Sequence, residues 1–275
     1  MTLNCKGRLI DLSTPKVMGI LNHTPDSFYD GGKYRDKNAI LKQTEKMLND
    51  GATFIDVGGY SSRPGADYVT EEEELKRMLP LTRLLLDHFP DIILSIDTFR
   101  SKVASACLNA GAAIINDISA GKLDPNMLQT VAEYHAPYIM MHMRGNPQTM
   151  QQQTAYDNLL VDIIAYFSER IAAAKALGMI DLIIDPGFGF AKTLSQNYEI
   201  LQKLDLFQTL EHPLLIGISR KSMIYKVLKT DAKNALNGTT ALHMASLMGG
   251  ANILRVHDVK EAYECVKLAE RLKPE

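Results

Sequence analysis

Eight short runs of aliphatic and β-branched residues recur along the chain, most of them followed by a longer amphipathic stretch. The runs are VMGILN (17–22), FIDVG (54–58), ILSID (93–97), IINDI (114–118), YIMMHM (138–143), LIIDPG (182–187), LIGIS (215–219) and ILRVHD (253–258). Their near-continuous apolarity suits strands buried on both faces, as in a parallel sheet. Residues 37–50, 70–88, 100–109, 158–177, 196–210, 234–248 and 259–272 carry the helical pattern between and after them. Thr70 and Glu73 predict a capping box, which makes Glu71 to Glu74 a solvated first turn rather than a metal site. Gly51, Gly111 and Gly178 each follow a helical stretch, where a left-handed cap is wanted. Strands alternating with helices, with no linker, predict a single (β/α)8 TIM barrel spanning residues 1–275. An open doubly wound sheet is the alternative. Two long, turn-rich connections, 23–36 and 58–69, have the length of functional loops.

Polar residues cluster where those strands end. Asn22, Asp56, Asp97, Asn116 with Asp117, His142, Asp185, Ser219 to Lys221, and Arg255 with His257 all fall there. Each alone could be a helix cap or a turn residue. Together they predict a polar small molecule at the barrel mouth, the face that carries barrel active sites. Asp97, Asn116 and Asp185 supply acceptors for a flat heterocycle with several N–H donors. Arg63, Lys221, Arg255 and His257, with Asn22, supply donors and positive charge suited to phosphate groups.

Composition narrows the function classes. The 275 residues are 46% hydrophobic and 23% charged, enough for a sizeable core. Lys+Arg 30 against Asp+Glu 32 leaves a net charge of -2, a poor match for nucleic acid or an anionic membrane surface. No apolar run reaches the ~18 residues of a membrane span, and MTLNCKGRLIDL lacks a signal-peptide core. Cys5, Cys107 and Cys265 are too far apart for a C-x-x-C pair and read as reduced thiols in a cytosol. No G-x-x-x-x-G-K-[ST], H-E-x-x-H or G-x-S-x-G motif occurs, and Gly187-Phe188-Gly189 lacks the third glycine of a dinucleotide loop. The seven histidines show no metal-ligand spacing; His142 reads as packed and structural, and the thirteen methionines, Met140, Met141 and Met143 among them, as core.

The segments MGILNHTPDSFYDGG (18–32), IDVGGYSSRPGA (55–66), SIDTFR (95–100), INDISAG (115–121), MHMRGNPQTMQ (141–151), DPGFGFAKT (185–193), GISRKSMI (217–224), NGTTALH (237–243) and RVHDV (255–259) resemble the dihydropteroate synthase family of pterin-binding enzymes. They run in that family's order over nearly the whole chain. Three positions depart from the common pattern: His23 stands for valine, Tyr60 for glutamate and Ser62 for threonine. The resemblance implies a (β/α)8 barrel that condenses 7,8-dihydropterin-6-ylmethyl diphosphate with 4-aminobenzoate, a folate-pathway reaction and a sulfonamide target. It implies that Asp97, Asn116 and Asp185 bind the pterin edge and Lys221 its carbonyl side. Arg255, His257, Asn22 and Ser62 would hold the diphosphate, with Arg63 nearby and Mg2+ close to Asn22. Phe28, Pro64, Phe190, Lys221 and Ser222 would receive 4-aminobenzoate. Lys221, Arg255, Asp97 and Asp185 would carry the catalysis. A cytoplasmic homodimer is implied as well. A pterin-dependent methyltransferase or a silent pterin-binding paralogue are the alternatives; the TPDSF, SRPG and SRKS segments argue against both.

Overall fold

The computed structural model describes residues 1–22, 33–60 and 69–272, with only the backbone of 22 and 33–36. The chain opens with a hairpin, β1 (Thr2–Cys5) and β2 (Arg8–Asp11). Barrel strands and helices then follow in turn: β3 (Lys16–Asn22), α1 (Lys33–Asn49), β4 (Phe54–Gly58), α2 (Glu71–His88), β5 (Leu94–Asp97), α3 (Ser101–Ala110) and β6 (Ile114–Asp117). After these come α4 (Met127–Glu133), β7 (Tyr138–Met141), α5 (Leu159–Ala176), β8 (Leu182–Asp185), α6 (Leu194–Gln202) and β9 (Leu215–Ile216). The short α7 (Ser222–Tyr225), α8 (Leu236–Met248), β10 (Ile253–Val256) and α9 (Val259–Leu272) complete it. All eight predicted strands are present and pair in parallel, in the order β8-β7-β6-β5-β4-β3-β10-β9. A parallel bridge between Ile184 and Leu214 joins the two ends of that row. The architecture is the (β/α)8 barrel; the open sheet is excluded.

Side chains on a strand alternate between faces, and here that alternation divides the barrel into three zones. Ile55, Val57, Ile96, Ile115, Met140, Ile184, Leu254 and Val256 point outward into the cluster shared with the helices. Met18, Phe54, Ile114, Ile139, Ile183, Leu215 and Ile253 point inward at the N-terminal end, in a second cluster. Two residues further along the same inward face stand Asp56, Asn116, Asp185 and Arg255. The mouth is thus polar on the same rows that are apolar at the bottom.

The hairpin seals that bottom. Leu3, Cys5, Ile10 and Leu12 join the inward-facing cluster, and the turn between the strands uses Lys6 (φ 54) and Gly7 (φ 85), the geometry that hairpin twist favours. Sequence reading passed over this element, although its alternating exposure, TLNC with Leu3 and Cys5 inward, was there to be seen. It also passed over α4 and α7, both too short for a helical period to stand out.

Two other expectations need correcting. The Thr70 hydroxyl does accept from Glu73 N at 3.2 Å, but the Glu73 carboxylate turns to Arg77 at 2.8 Å, so only half of the box forms. Glu74 is not solvated: it is fully buried and bound to Arg100 at 2.6 Å. The 196–210 helix breaks at Lys203 and continues as a 3-10 segment, Leu204–Leu210. Leu204 and Phe207 are both buried there, and the three-residue repeat of that geometry puts them on one side. The glycine caps hold, with Gly111 at φ 116 closing α3. All three cysteines are buried thiols; of the methionines expected in the core Met140, Met141 and Met143 are buried, but Met1 and Met248 are exposed. Among the described residues no helix is long and apolar enough to cross a membrane.

The seal is testable. Leu3 is 1% exposed and Leu9, on the same hairpin, is 70% exposed. Leu3→Ala should lower the unfolding free energy by about 2–5 kcal/mol, and Leu9→Ala by less than about 0.5 kcal/mol. Urea denaturation of both variants compares them directly. Equal effects would show that the hairpin does not close the barrel.

Candidate active site

At the mouth, Arg255 on β10 reaches across to two carboxylates. Its Nε lies 2.6 Å from Asp56 Oδ2 on β4, and its NH2 group lies 2.7 Å from Asp97 Oδ2 on β5. Burial works against the guanidinium charge, but the two carboxylates outweigh it and raise the Arg255 pKa above its ordinary value. Burial in turn pushes the Asp97 carboxyl up, while Arg255 pulls it back down. Asn116 Nδ2 donates to the same Asp56 oxygen at 3.1 Å, which fixes the amide beside the pair. The other oxygen, Asp56 Oδ1, is buried and has no hydrogen-bond partner among the described residues. A buried carboxylate oxygen left bare is costly, so this atom is matched to a donor that arrives with a ligand.

Asp185 ends β8 on the opposite side. Its Oδ1 accepts from Gly187 N at 2.8 Å, and burial raises its pKa despite the nearby Lys221. Lys221 Nζ donates to Phe188 O at 2.7 Å and sits 4.9 Å from the centre of the Phe190 ring. Burial is the main cause that lowers its pKa, to about 8. A Cβ on Gly217 would lie 3.8 Å from Lys221 Nζ and 3.9 Å from Asp185 Oδ2, so the bare backbone there leaves the space between them open. The pair of groups faces Arg255 and its carboxylates across the mouth.

The turn after β8 joins Asp185 to Lys221, through Gly187 N at one and Phe188 O at the other. Gly187 (φ 71), Gly189 (φ 82) and Ala191 (φ 50) all take left-handed conformations. At Gly187 a Cβ would stand 2.1 Å from His142 O, so no larger residue fits. The G-x-G spacing therefore serves a tight turn, not a dinucleotide. His142 is packed as expected: it is 1% exposed, edge-on to Tyr166 at 4.8 Å, with Nδ1 3.0 Å from Lys192 Nζ.

Of the other predicted positions, His257 is held at the rim by Ser219, whose Oγ lies 3.2 Å from both its backbone N and its Nδ1. Ser222 begins α7 directly after Lys221. Asn22 ends β3 opposite Gly58, with its side chain outside the described residues. Phe28, Ser62, Arg63 and Pro64, with His23, lie outside the described residues altogether. Two polar strand-end residues turn away from the mouth. Asp117 accepts from Ser119 N, Gly121 N and Tyr138 OH, and Arg220 pairs with Asp258 through Nε at 2.7 Å and NH2 at 2.8 Å.

Tyr60, one of the departures, is accommodated without strain. Its ring meets Phe99 edge-on at 5.3 Å and its hydroxyl accepts from Gln148 Nε2 at 3.0 Å. Arg100 lies 5.6 Å from that ring and donates to Val69 O at 2.5 Å, touching both residues that flank 61–68. A cavity of about 530 Å³ opens on the flank beside α5, lined by Ser119, Arg144 and Tyr166 among others. Of the polar strand-end residues it takes in only His142, and none of Asp56, Asp97, Asn116, Asp185, Lys221 and Arg255 lines it.

Comparison with known proteins decides the family. The sequence profile described as pterin binding enzyme matches residues 18–257. The chain belongs to that family. It is 44% identical to the dihydropteroate synthase of Escherichia coli K12 over 98% of this chain and 96% of that protein. The Yersinia pestis dihydropteroate synthase, solved with a sulfonamide drug, superposes with a TM-score of 0.92 at 43% identity, covering 99% of both chains. The Xanthomonas albilineans enzyme, solved with 4-aminobenzoic acid, gives 0.91 at 36% identity, covering 98% of this chain and 97% of that one.

Removing the shared cation should expose the cost of the cluster. Arg255 is 20% exposed and Asp56 not at all. Arg255→Met should cost about 3 kcal/mol, at the low end for a broken buried pair because water reaches the guanidinium. Adding Asp56→Asn should recover part of it, as a denaturation double-mutant cycle would measure. A loss below about 1 kcal/mol would mean that the carboxylates are not held by this residue.

Proposed function

We propose that this mouth joins 7,8-dihydropterin-6-ylmethyl diphosphate to 4-aminobenzoate, releasing dihydropteroate and pyrophosphate. The chain is a transferase of folate biosynthesis, a dihydropteroate synthase by activity, and residues 1–275 act as one catalytic domain. The observation that carries the site reading is the bare oxygen of Asp56 beside Asp97, Asn116 and Asp185. Four groups rich in acceptors around one mouth suit the N–H edge of a pterin ring, with Lys221 at the carbonyl side.

The remaining roles follow the positions. Arg255 flanks the ring and, with His257, Ser62 and Asn22, takes the diphosphate; Arg63 adds charge on the same side. Mg2+ would bind near Asn22, since a single amide oxygen suits an ion that draws its other ligands from phosphate and water. It would neutralise charge on the departing pyrophosphate. The 4-aminobenzoate packs against Phe190, Phe28 and Pro64, near Lys221 and Ser222. The catalytic work falls to Asp97 and Asp185, which favour a cationic ring, and to Lys221 and Arg255, which orient it. No side chain need act as nucleophile: the bond to pyrophosphate breaks first, the aniline nitrogen then adds to the methylene carbon, and the proton it sheds passes to the released pyrophosphate or to water. We place the enzyme in the cytoplasm as a homodimer. The exposed apolar side chains of Val227, Leu228 and Met248 are material for the contact, and light scattering would test it.

Purified protein should release pyrophosphate only when both substrates are present; release needing only one of them would remove the assignment. Asp185→Asn offers a donor where the ring needs an acceptor and should weaken pterin binding at least about tenfold. Calorimetry showing unchanged pterin affinity would refute this wall. Deuterium on the pterin methylene should give a sizeable normal secondary isotope effect, because that carbon becomes trigonal before attack. A value near unity with chemistry rate-limiting would mean direct displacement.

A further inference from the structure

One buried cation takes no part in the pocket described above. Lys192, 4% exposed, is sealed under the turn that follows β8. Its Nζ reaches Phe190 O at 2.9 Å, Gly187 O at 3.0 Å and His142 Nδ1 at 3.0 Å, with His142 O at 3.5 Å. An ammonium has three donors, and the three short contacts take all of them. Every partner is neutral. A buried amine without a contacting carboxylate is an expensive way to fill space, which calls for a reason other than packing.

The reason lies in what the turn carries. Of its three left-handed residues, Gly187 and Gly189 take that conformation freely, while Ala191 at φ 50 is held there by its surroundings. Other bonds reach it from the rim: Asn197 Oδ1 accepts from Gly189 N, Gln151 Nε2 donates to Gly189 O, and Tyr156 OH donates to Ala191 O. Within the turn Phe190 N donates to Gly187 O at 3.1 Å, and Lys192 braces both ends of that bond, Gly187 where the turn leaves Asp185 and Phe190 where it delivers its aromatic ring. Between those two, Phe188 O fixes the Lys221 ammonium.

We propose that Lys192 is a positioning residue for the second substrate: it clamps the 187–190 backbone so that Phe190 and Lys221 form the wall against which 4-aminobenzoate packs. This rests on the reading of Phe190 and Lys221 given above. Binding of the pterin shares Asp185 and Lys221 with this turn but draws also on Asp56, Asp97 and Asn116 with Arg255, which come from other strands and which Lys192 does not touch.

The surrounding charges fit the clamp. Burial lowers the Lys192 pKa, to about 7; Asp185 opposes that shift, and Lys221 and Arg144 add to it. His142 is held neutral, its pKa pushed by burial to about 2, so its Nδ1 stays free to accept. Protonated Lys192 therefore meets an acceptor at each of its three donors.

Lys192→Met keeps the length and apolar volume and removes the donors. It should raise the KM for 4-aminobenzoate at least tenfold, while the pterin dissociation constant of the free enzyme, measured by calorimetry, rises by a clearly smaller factor. Lys192→Gln, which retains a two-hydrogen donor, should fall between Met and wild type, and serves in its place should the Met variant not fold. A loss of active protein at unchanged KM, or an equal loss for both substrates, would overturn the proposal by reducing Lys192 to a general structural role. Phe190→Ala separates the two readings. If it leaves the 4-aminobenzoate KM unchanged, the placement of that substrate is wrong; if it raises KM and Lys192→Met does not, the clamp is wrong.

Discussion

The guanidinium of Arg255 lodged between Asp56 and Asp97 is the interaction on which the mouth depends. It joins β10 to β4 and β5 across β3, so three of the four strands on that side are tied by side chains as well as by the sheet. Carboxylates in such a setting need a partner, and a partner that served both completely would leave nothing for a ligand. Arg255 serves one oxygen of each. The oxygen left bare on Asp56 is thereby held in position by the same bonds that leave it unsatisfied. Stability and readiness to bind come from one arrangement.

That arrangement needs a rigid base, which the alternation along the strands provides. Phe54, Ile114, Ile183 and Ile253 sit two residues before Asp56, Asn116, Asp185 and Arg255 on the same inward face. The apolar member packs under the hairpin; the polar member inherits its direction from the same strand. Charged groups on such a base lose little freedom when a ligand arrives, which is what preorganised electrostatics requires. The turn after β8 extends the same principle beyond the sheet, with bonds to nearly every peptide group replacing the ladder.

Much of this was legible beforehand because the signals were periodic or local. Eight apolar runs meant eight buried parallel strands, and Asp97, Asn116, Asp185, Lys221 and Arg255 do converge at one end. What escaped depended on partners distant in sequence. Asp56 was visible as a polar strand end, but its role emerges only when Arg255, 199 residues away, arrives beside it. Lys192 looked like one more residue of a loop motif, because nothing local says that His142 will lie against it. Glu74 read as solvent-facing since four glutamates in a row opened a helix, yet the helix turns that one position onto Arg100. The turning away of Asp117 and Arg220 is the same lesson: a strand's last residues point to opposite faces, and polarity alone does not say which.

The balance of charge at the mouth bears on how the reaction proceeds. Asp56, Asp97 and Asp185 carry three formal negative charges, and Arg255 and Lys221 two positive ones. Arg255 spends its contacts on Asp56 and Asp97, whereas Asp185 accepts only a backbone N–H among its direct bonds. By formal charge the excess sits with Asp56 and Asp97, which share the one cation of Arg255, whereas Asp185 has Lys221 nearby; on the proposed placement of the substrates all three carboxylates face the ring rather than the diphosphate. A carboxylate about 4 Å from a developing cation is worth ~4 kcal/mol at an effective dielectric near 20, roughly a thousandfold in rate. That benefit grows as the methylene carbon parts from its leaving group and is nearly absent in the neutral ground state, so it lowers the barrier rather than merely tightening binding. A negative wall at the ring and a positive rim at the phosphates pull in opposite directions along the bond that must break, and an arylamine of modest nucleophilicity can then add to a carbon already made electrophilic.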